Sequence, residues 1–169
     1  KLVEEFQNWV WSDEKRAQRL QNAYCNKFGN IKKRVFKGEF LKFPNMSKDI
    51  SLYDYQKDAV ARILFTPNTL LSHDVGSGKT FVMIAAGMEL RRLHKSKKNL
   101  YVVPNNILGQ WENTFLRMYP DAKLLVVNEK NFKPSKRAAT IEQIKTEDFD
   151  AIIMAYSSFD MLSLSKNYY

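Results

Sequence analysis

The chain has 169 residues and a formal charge of +9, and its 44% hydrophobic and 13% aromatic content is that of a globular protein. No apolar run approaches the roughly 20 residues needed to cross a bilayer, and Cys25 is the only cysteine, so an internal disulfide is excluded and a reducing, cytoplasmic compartment is expected. The excess of Lys and Arg fits a polyanionic partner, most simply nucleic acid, and a solvated basic surface equally well.

Leu2, Val3, Phe6, Trp9 and Val10 recur at helical spacing and predict a first amphipathic helix. Ser12 is the expected N-cap of a second helix, because Asp13 and Glu14 fall in its first turn and Ala17, Leu20 and Tyr24 continue on one face, with Gly29 as the stop. From Ile31 to Phe43 the chain turns basic and aromatic, and Lys37-Gly38 between Val35-Phe36 and Phe40-Leu41 marks a short hairpin. The group Lys32, Lys33, Arg34 and Lys37, interleaved with Phe36 and Phe40, is a candidate for contact with nucleic acid. Pro44 to Asp49 reads as a linker, and a further helix is expected from Asp54, capped by that carboxylate, with Ala59, Val60, Ile63 and Leu64 as its stripe and its end before Pro67. These patterns divide the chain into a mainly helical, basic extension over residues 1–50 and a domain over residues 51–169.

In that domain the apolar runs Thr69 to Ser72, Leu100 to Val103, Leu124 to Val127 and Ala151 to Ala155 alternate with helical segments, a pattern of parallel strands joined by right-handed crossovers. The polar residues that follow each run should then converge on one edge, where ligands of open α/β sheets bind. Lys1 is not an initiator methionine, and the sequence is read as a piece of a longer protein.

His73-Asp74-Val75-Gly76-Ser77-Gly78-Lys79-Thr80 stands between the first of these runs and a helix rich in Phe81, Val82, Ile84, Ala85 and Met88, the order required of a phosphate-binding P-loop. Its glycines let the backbone N–H groups from Val75 to Thr80 wrap a phosphate, and the helix N-terminus adds unpaired donors. Lys79 is the candidate catalytic residue, bringing positive charge to the β and γ phosphates, and the Thr80 hydroxyl is placed to ligate magnesium. The strict pattern has glycine where this chain has His73; the core Gly76-Ser77-Gly78-Lys79-Thr80 is intact.

From Leu52 onward the sequence resembles superfamily 2 helicases and translocases, in particular their Swi/Snf-like branch. Leu52-Tyr53-Asp54-Tyr55-Gln56 is similar to the segment whose glutamine recognises adenine, so the resemblance implies that Gln56 selects ATP; its amide can donate to and accept from the adenine edge. The plainer reading of Gln56 is a solvent-facing helix residue. Asn99 to Glu112 resembles motif Ia, which implies contact of Pro104, Asn105 and Asn106 with a DNA backbone, while Trp111 keeps core spacing with Ile107, Leu108, Phe115 and Leu116. Phe149 to Phe159 resembles motif Ib, which implies the same role for Ser157 and Ser158. Tyr24 to Phe28 and Gly38 to Phe43 add a looser similarity to the helicase part of very large phage and conjugative-element proteins, in which such a motor is often joined to a DNA methyltransferase-like domain.

The resemblance implies an α/β fold: a parallel-sheet RecA-like P-loop NTPase lobe, incomplete at its C-terminal side. It further implies a DNA-dependent ATPase that binds ATP and magnesium, contacts double-stranded DNA non-specifically, and works with a second motor lobe and other domains of the parent protein. The family's magnesium carboxylate and general base lie beyond motif Ib and its arginine finger in the second lobe, so this chain alone is expected not to hydrolyse ATP. Leu124 to Glu129 imitates a strand that ends in such an acid, but it precedes motif Ib, and Glu129 receives no catalytic role. The run Arg91 to Lys98 falls at the far end of the P-loop helix and reads as a solvated face, and His73 and His94 lack zinc-ligand spacing. Two other readings remain open: a P-loop kinase or GTPase, and a basic nucleic-acid-binding module with a vestigial P-loop.

Overall fold

The structure, a computed structural model, describes residues 1–29 and 34–162. Contacts divide the chain into two units, the first ending at Val35 and the second beginning at Phe36.

The first unit holds α1 (Leu2–Trp11) and α2 (Glu14–Phe28), and Val10 is the one buried residue of the two helices. Asp13, not Ser12, caps α2, its carboxylate accepting from the Arg16 amide at 3.0 Å. Ser12 is still finishing α1, with its hydroxyl turned back to the Trp9 carbonyl at 2.9 Å. The Arg16 amide is also the main reason that the Asp13 carboxyl is held below its ordinary pKa. Gly29 ends α2, as expected.

The second unit begins earlier than the sequence pattern marks, because Leu41, Phe43 and Leu52 are buried in its core beside α3 (Asp54–Phe65) and Phe36 stacks on Phe65. The Gly38 amide donates to Asp58 Oδ1 at 2.8 Å, and a Cβ at Gly38 would fall 2.2 Å from the Lys57 carbonyl, so this close approach requires glycine. The expected hairpin is not formed: residues 34–43 contain no strand, only a turn closed by the Leu41 amide on the Gly38 carbonyl at 3.0 Å. Ile31, Lys32 and Lys33 lie outside the described residues. Tyr53, not Asp54, is the N-cap of α3, and its amide is satisfied by Gln56 Oε1 at 2.9 Å.

Strands β1 (Asn99–Val103), β2 (Leu124–Val127) and β3 (Ala151–Ala155) form a parallel sheet in the order β1-β3-β2, with Asn99 and Leu124 both opposite Ala151. Every residue of the central β3 is buried, as a parallel strand with both faces covered requires. The helices α4 (Lys79–Arg92), α5 (Leu108–Met118), α6 (Pro134–Thr146) and the single turn α7 (Tyr156–Phe159) complete the unit. Along α5, Leu108, Trp111, Phe115 and Met118 are buried, whereas Leu116 is 38% exposed. The fourth expected strand, Thr69 to Ser72, is not formed, the run carrying no regular secondary structure, and Leu70 is 83% exposed. A strand is defined by its neighbour, and no described strand bonds to this run. No helix among the described residues is long and apolar enough to cross a membrane.

Candidate nucleotide and nucleic-acid site

The loop before α4 is shaped by two left-handed glycines, Gly76 at φ +85° and Gly78 at φ +76°, a conformation that side chains resist. A Cβ at Gly78 would lie 2.4 Å from Gln56 Nε2, whereas the space around Gly76 is open. Lys79 begins α4 and folds back across the loop, its ammonium donating to the carbonyls of His73 at 2.7 Å and Asp74 at 2.9 Å. The carbonyls that hold this charge mark the space in front of the α4 N-terminus, where helix donors and the ammonium can together take a phosphate. Thr80 stands in the first turn of α4, and its side chain shares a cavity of about 430 Å³ with Lys79, Pro104 and Tyr156. Val75 is 99% exposed at the loop tip. A second cavity of about 550 Å³ separates Gly76, Gly78 and Lys79 from Gln110, Thr114 and Arg117 of α5.

Gln56 is 4% exposed and both ends of its amide are engaged: Oε1 with the Tyr53 amide at 2.9 Å, Nε2 with the Ser77 carbonyl at 3.0 Å. The side chain therefore ties α3 to the phosphate loop, and it does not face solvent. Tyr55, which the sequence did not single out, reinforces the tie through its hydroxyl on the same Ser77 carbonyl at 2.9 Å, and its ring meets His73 edge-on at 5.8 Å. His73, the departure from the usual loop pattern, thus packs on the residue that braces the loop.

The polar groups at the strand ends do converge. Asn105, one residue past β1 and Pro104, donates from Nδ2 to Glu129 Oε1 at 2.8 Å and to Ser157 Oγ at 2.9 Å, and Ser157 Oγ donates to the same Glu129 oxygen at 3.0 Å. Pro104, Asn105 and Asn106 are exposed, and Ser157 is half-buried. Ser158 is different: it is fully buried at 0% and its hydroxyl has no partner among the described residues, so it presents nothing to a ligand at the surface. Glu129 is the residue whose place in this cluster the sequence reading missed; the available signal was its position just past β2, on the same edge as the other strand ends.

The basic run at the far end of α4 is knit into the fold. Arg91 pairs with Asp150 at 2.8 Å and Asp148 at 3.0 Å, Arg92 with the buried Glu89 at 2.7 Å, and Lys95 donates to the Leu64 carbonyl at 2.7 Å. Hydrogen bonding to Glu89 raises the Arg92 pKa. Burial pushes the phenols of Tyr101 and Tyr119 well above their ordinary range, so both are neutral core groups. Among the described residues no group of three or more His, Cys, Asp or Glu is placed to hold a metal.

A family model described as a probable helicase domain matches residues 63–168, more than half of the chain. A Caenorhabditis elegans protein, the SWI/SNF-related matrix-associated actin-dependent regulator of chromatin subfamily A containing DEAD/H box 1 homolog, is 23% identical over 133 residues, 76% of this chain but only 13% of that protein. Among solved structures, the Sulfolobus solfataricus SWI2/SNF2 ATPase core domain superposes with a TM-score of 0.60 at 23% identity, covering 79% of this chain and 26% of that one. The same core in complex with double-stranded DNA gives a TM-score of 0.53 at 23% identity over 70% of this chain and 24% of that one.

Proposed function

The chain belongs to the helicase-domain family and carries the α/β fold of SWI2/SNF2 ATPase cores, and from that premise we propose that it is the front part of the first motor lobe of a DNA-dependent ATPase. In this reading ATP is held by the loop from Val75 to Thr80 and a DNA backbone by the strand-end residues Pro104, Asn105, Asn106 and Ser157. The observation that carries it is the loop itself: two left-handed glycines at the N-terminus of α4 with the Lys79 ammonium bridging the carbonyls of His73 and Asp74.

The residues fit the triphosphate that the family implies. Lys79 exchanges its two carbonyl contacts for phosphate oxygens, a change from neutral acceptors to charged ones that adds the attraction of opposite charges to bonds already made by an ionised donor. The amides of α4 orient the phosphates, and Gln56 and Tyr55 keep the loop in shape through the Ser77 carbonyl. Each end of the Gln56 amide carries one bond and keeps a second N–H and a second oxygen lone pair, the pair that an adenine edge would engage. Thr80 would hold magnesium, which when bound neutralises charge on the phosphates. Hydrolysis needs a carboxylate and an arginine that we assign to other parts of the parent protein, since the chain spans 13% of its curated relative.

Titration of a fluorescent ATP analogue into the chain, with ATP, GTP and CTP as competitors, tests the reading. Saturable binding that is competed best by ATP and lost in Lys79→Ala is expected. Binding that survives Lys79→Ala unchanged would instead favour a basic module with a vestigial loop, and preference for GTP would favour the kinase or GTPase reading.

A further inference from the structure

We propose that the Glu129 carboxylate occupies the place of a backbone phosphate at the ends of β1 and β3 in the DNA-free protein, and that it is exchanged for that phosphate when nucleic acid docks. The inference rests on the reading that Asn105 and Ser157 face a nucleic-acid backbone.

The donor inventory carries it. An Asn side chain has two N–H donors and a Ser one O–H. Asn105 Nδ2 donates to Glu129 Oε1 at 2.8 Å and Ser157 Oγ at 2.9 Å, and Ser157 donates its hydroxyl to Glu129 Oε1 at 3.0 Å. The amide nitrogen and the hydroxyl of the pair therefore both direct a donor at the carboxylate. The cluster presents acceptors and a negative charge outward, a surface that repels a phosphodiester. A carboxylate oxygen taking converging N–H and O–H bonds is also the arrangement that a non-bridging phosphate oxygen takes.

Glu129 can leave without disturbing the fold. It is exposed and lies beyond the last buried residue of β2, Val127. The turn that carries it is built by other groups: Asn128 Oδ1 accepts from the amides of Lys130 at 2.9 Å and Asn131 at 3.1 Å, and Asn131 Oδ1 accepts from the Asn128 amide at 2.8 Å. A cavity of about 280 Å³ adjoins the cluster, lined by Asn105, Leu108, Asn128, Glu129, Lys130 and Ala155, so space for an anion exists beside the donors and a cation lies at its rim.

The test is fluorescence anisotropy of a labelled blunt duplex with the full chain, in the unaltered background and in Asn105→Ala/Ser157→Ala. In the first, Glu129→Ala should tighten binding by about tenfold and Glu129→Gln by less, because the neutral amide still accepts from both donors but more weakly. In the second the gain should fall to that of Glu142→Gln, an exposed acid on α6 that controls for charge alone. Weaker or unchanged binding by Glu129→Ala overturns the proposal, as does an equal gain in both backgrounds. If Asn105→Ala/Ser157→Ala binds as tightly as the unaltered chain, the placement of DNA at this edge has failed, a separate outcome from a failure of the exchange.

Discussion

Replacing Gly78 by alanine should distort the phosphate loop more than replacing Gly76, although both glycines sit in the left-handed region. An L-residue held there costs about 1–2 kcal/mol, and at Gly76 that is the whole effect, because a Cβ has open space. At Gly78 the Cβ would come within 2.4 Å of Gln56 Nε2, so the amide must swing away. It then forfeits its bonds to the Ser77 carbonyl and the Tyr53 amide, at about 1 kcal/mol each. Gly78→Ala should therefore destabilise the chain by about 3 kcal/mol, lowering the melting temperature by roughly 6–12 °C for a domain of this size. Circular dichroism melts of Gly76→Ala, Gly78→Ala, Gln56→Ala and the Gln56→Ala/Gly78→Ala pair form the assay. Without the Gln56 amide, Gly78→Ala should fall to the level of Gly76→Ala, a coupling of about 2 kcal/mol. Equal effects at the two glycines, or additivity in the pair, would show that Gln56 does not brace the loop.

At Gly87 a Cβ would lie 1.8 Å from the Tyr101 hydroxyl, so Gly87→Ala should lower the melting temperature markedly and Tyr101→Phe should restore part of the loss; no rescue would refute the contact. The isolated chain should show no ATP turnover above that of Lys79→Ala in a phosphate-release assay, and turnover that Lys79→Ala abolishes would place the water-activating group within this chain. The Glu147 carboxyl is lowered from 4.5, first by its hydrogen bond from Lys123. A depressed carboxyl contributes stability that is present above the unfolded pKa and lost as pH falls through the folded one. Glu147→Gln should thus lower stability slightly near neutrality, the site being exposed, and match the unaltered chain in acid; a difference that persists in acid would refute the pairing.

How much of the fold the sequence carried depended on whether a pattern is local. Helices α1, α3 and α5 follow from residues a turn apart, and β1, β2 and β3 from apolar runs flanked by helices. Caps were misplaced by one residue at Ser12 and Asp54, because Ser12 serves the preceding helix and Tyr53 is capped from Gln56, a choice made by geometry at a helix junction. The run Thr69 to Ser72 has strand composition yet no partner, and pairing is a non-local property that composition does not encode. The segment after Val35 failed for a related reason. Its aromatic and basic residues resemble a hairpin, but Leu41 and Phe43 are drawn into the core beside α3 and the turn is fixed by Asp58.

The site was legible as a set of residues but not as a state. The P-loop pattern names Gly76, Gly78, Lys79 and Thr80, and the parallel topology gathers Asn105 and Ser157 on one edge, yet nothing in the spacing says that Lys79, Gln56, Asn105 and Ser157 already have internal partners. Lys79 is held by two carbonyls, Gln56 by Tyr53 and Ser77, and the Asn105 and Ser157 donors by Glu129. Such partners follow from the cost of leaving a polar group unpaired, and they appear wherever an acceptor lies within reach. They also make every affinity of this chain a difference between two bonded states. Phosphate at the loop gains only what charged oxygens offer over the carbonyls of His73 and Asp74, and a DNA phosphate at the strand ends gains only what it offers over the Glu129 carboxylate. The first exchange replaces neutral acceptors with charged ones and is favourable; the second replaces one anion by another. On the proposed reading the loop should therefore bind nucleotide firmly and the strand edge should hold a duplex only weakly, an order that nucleotide titration and duplex anisotropy on the same chain would check.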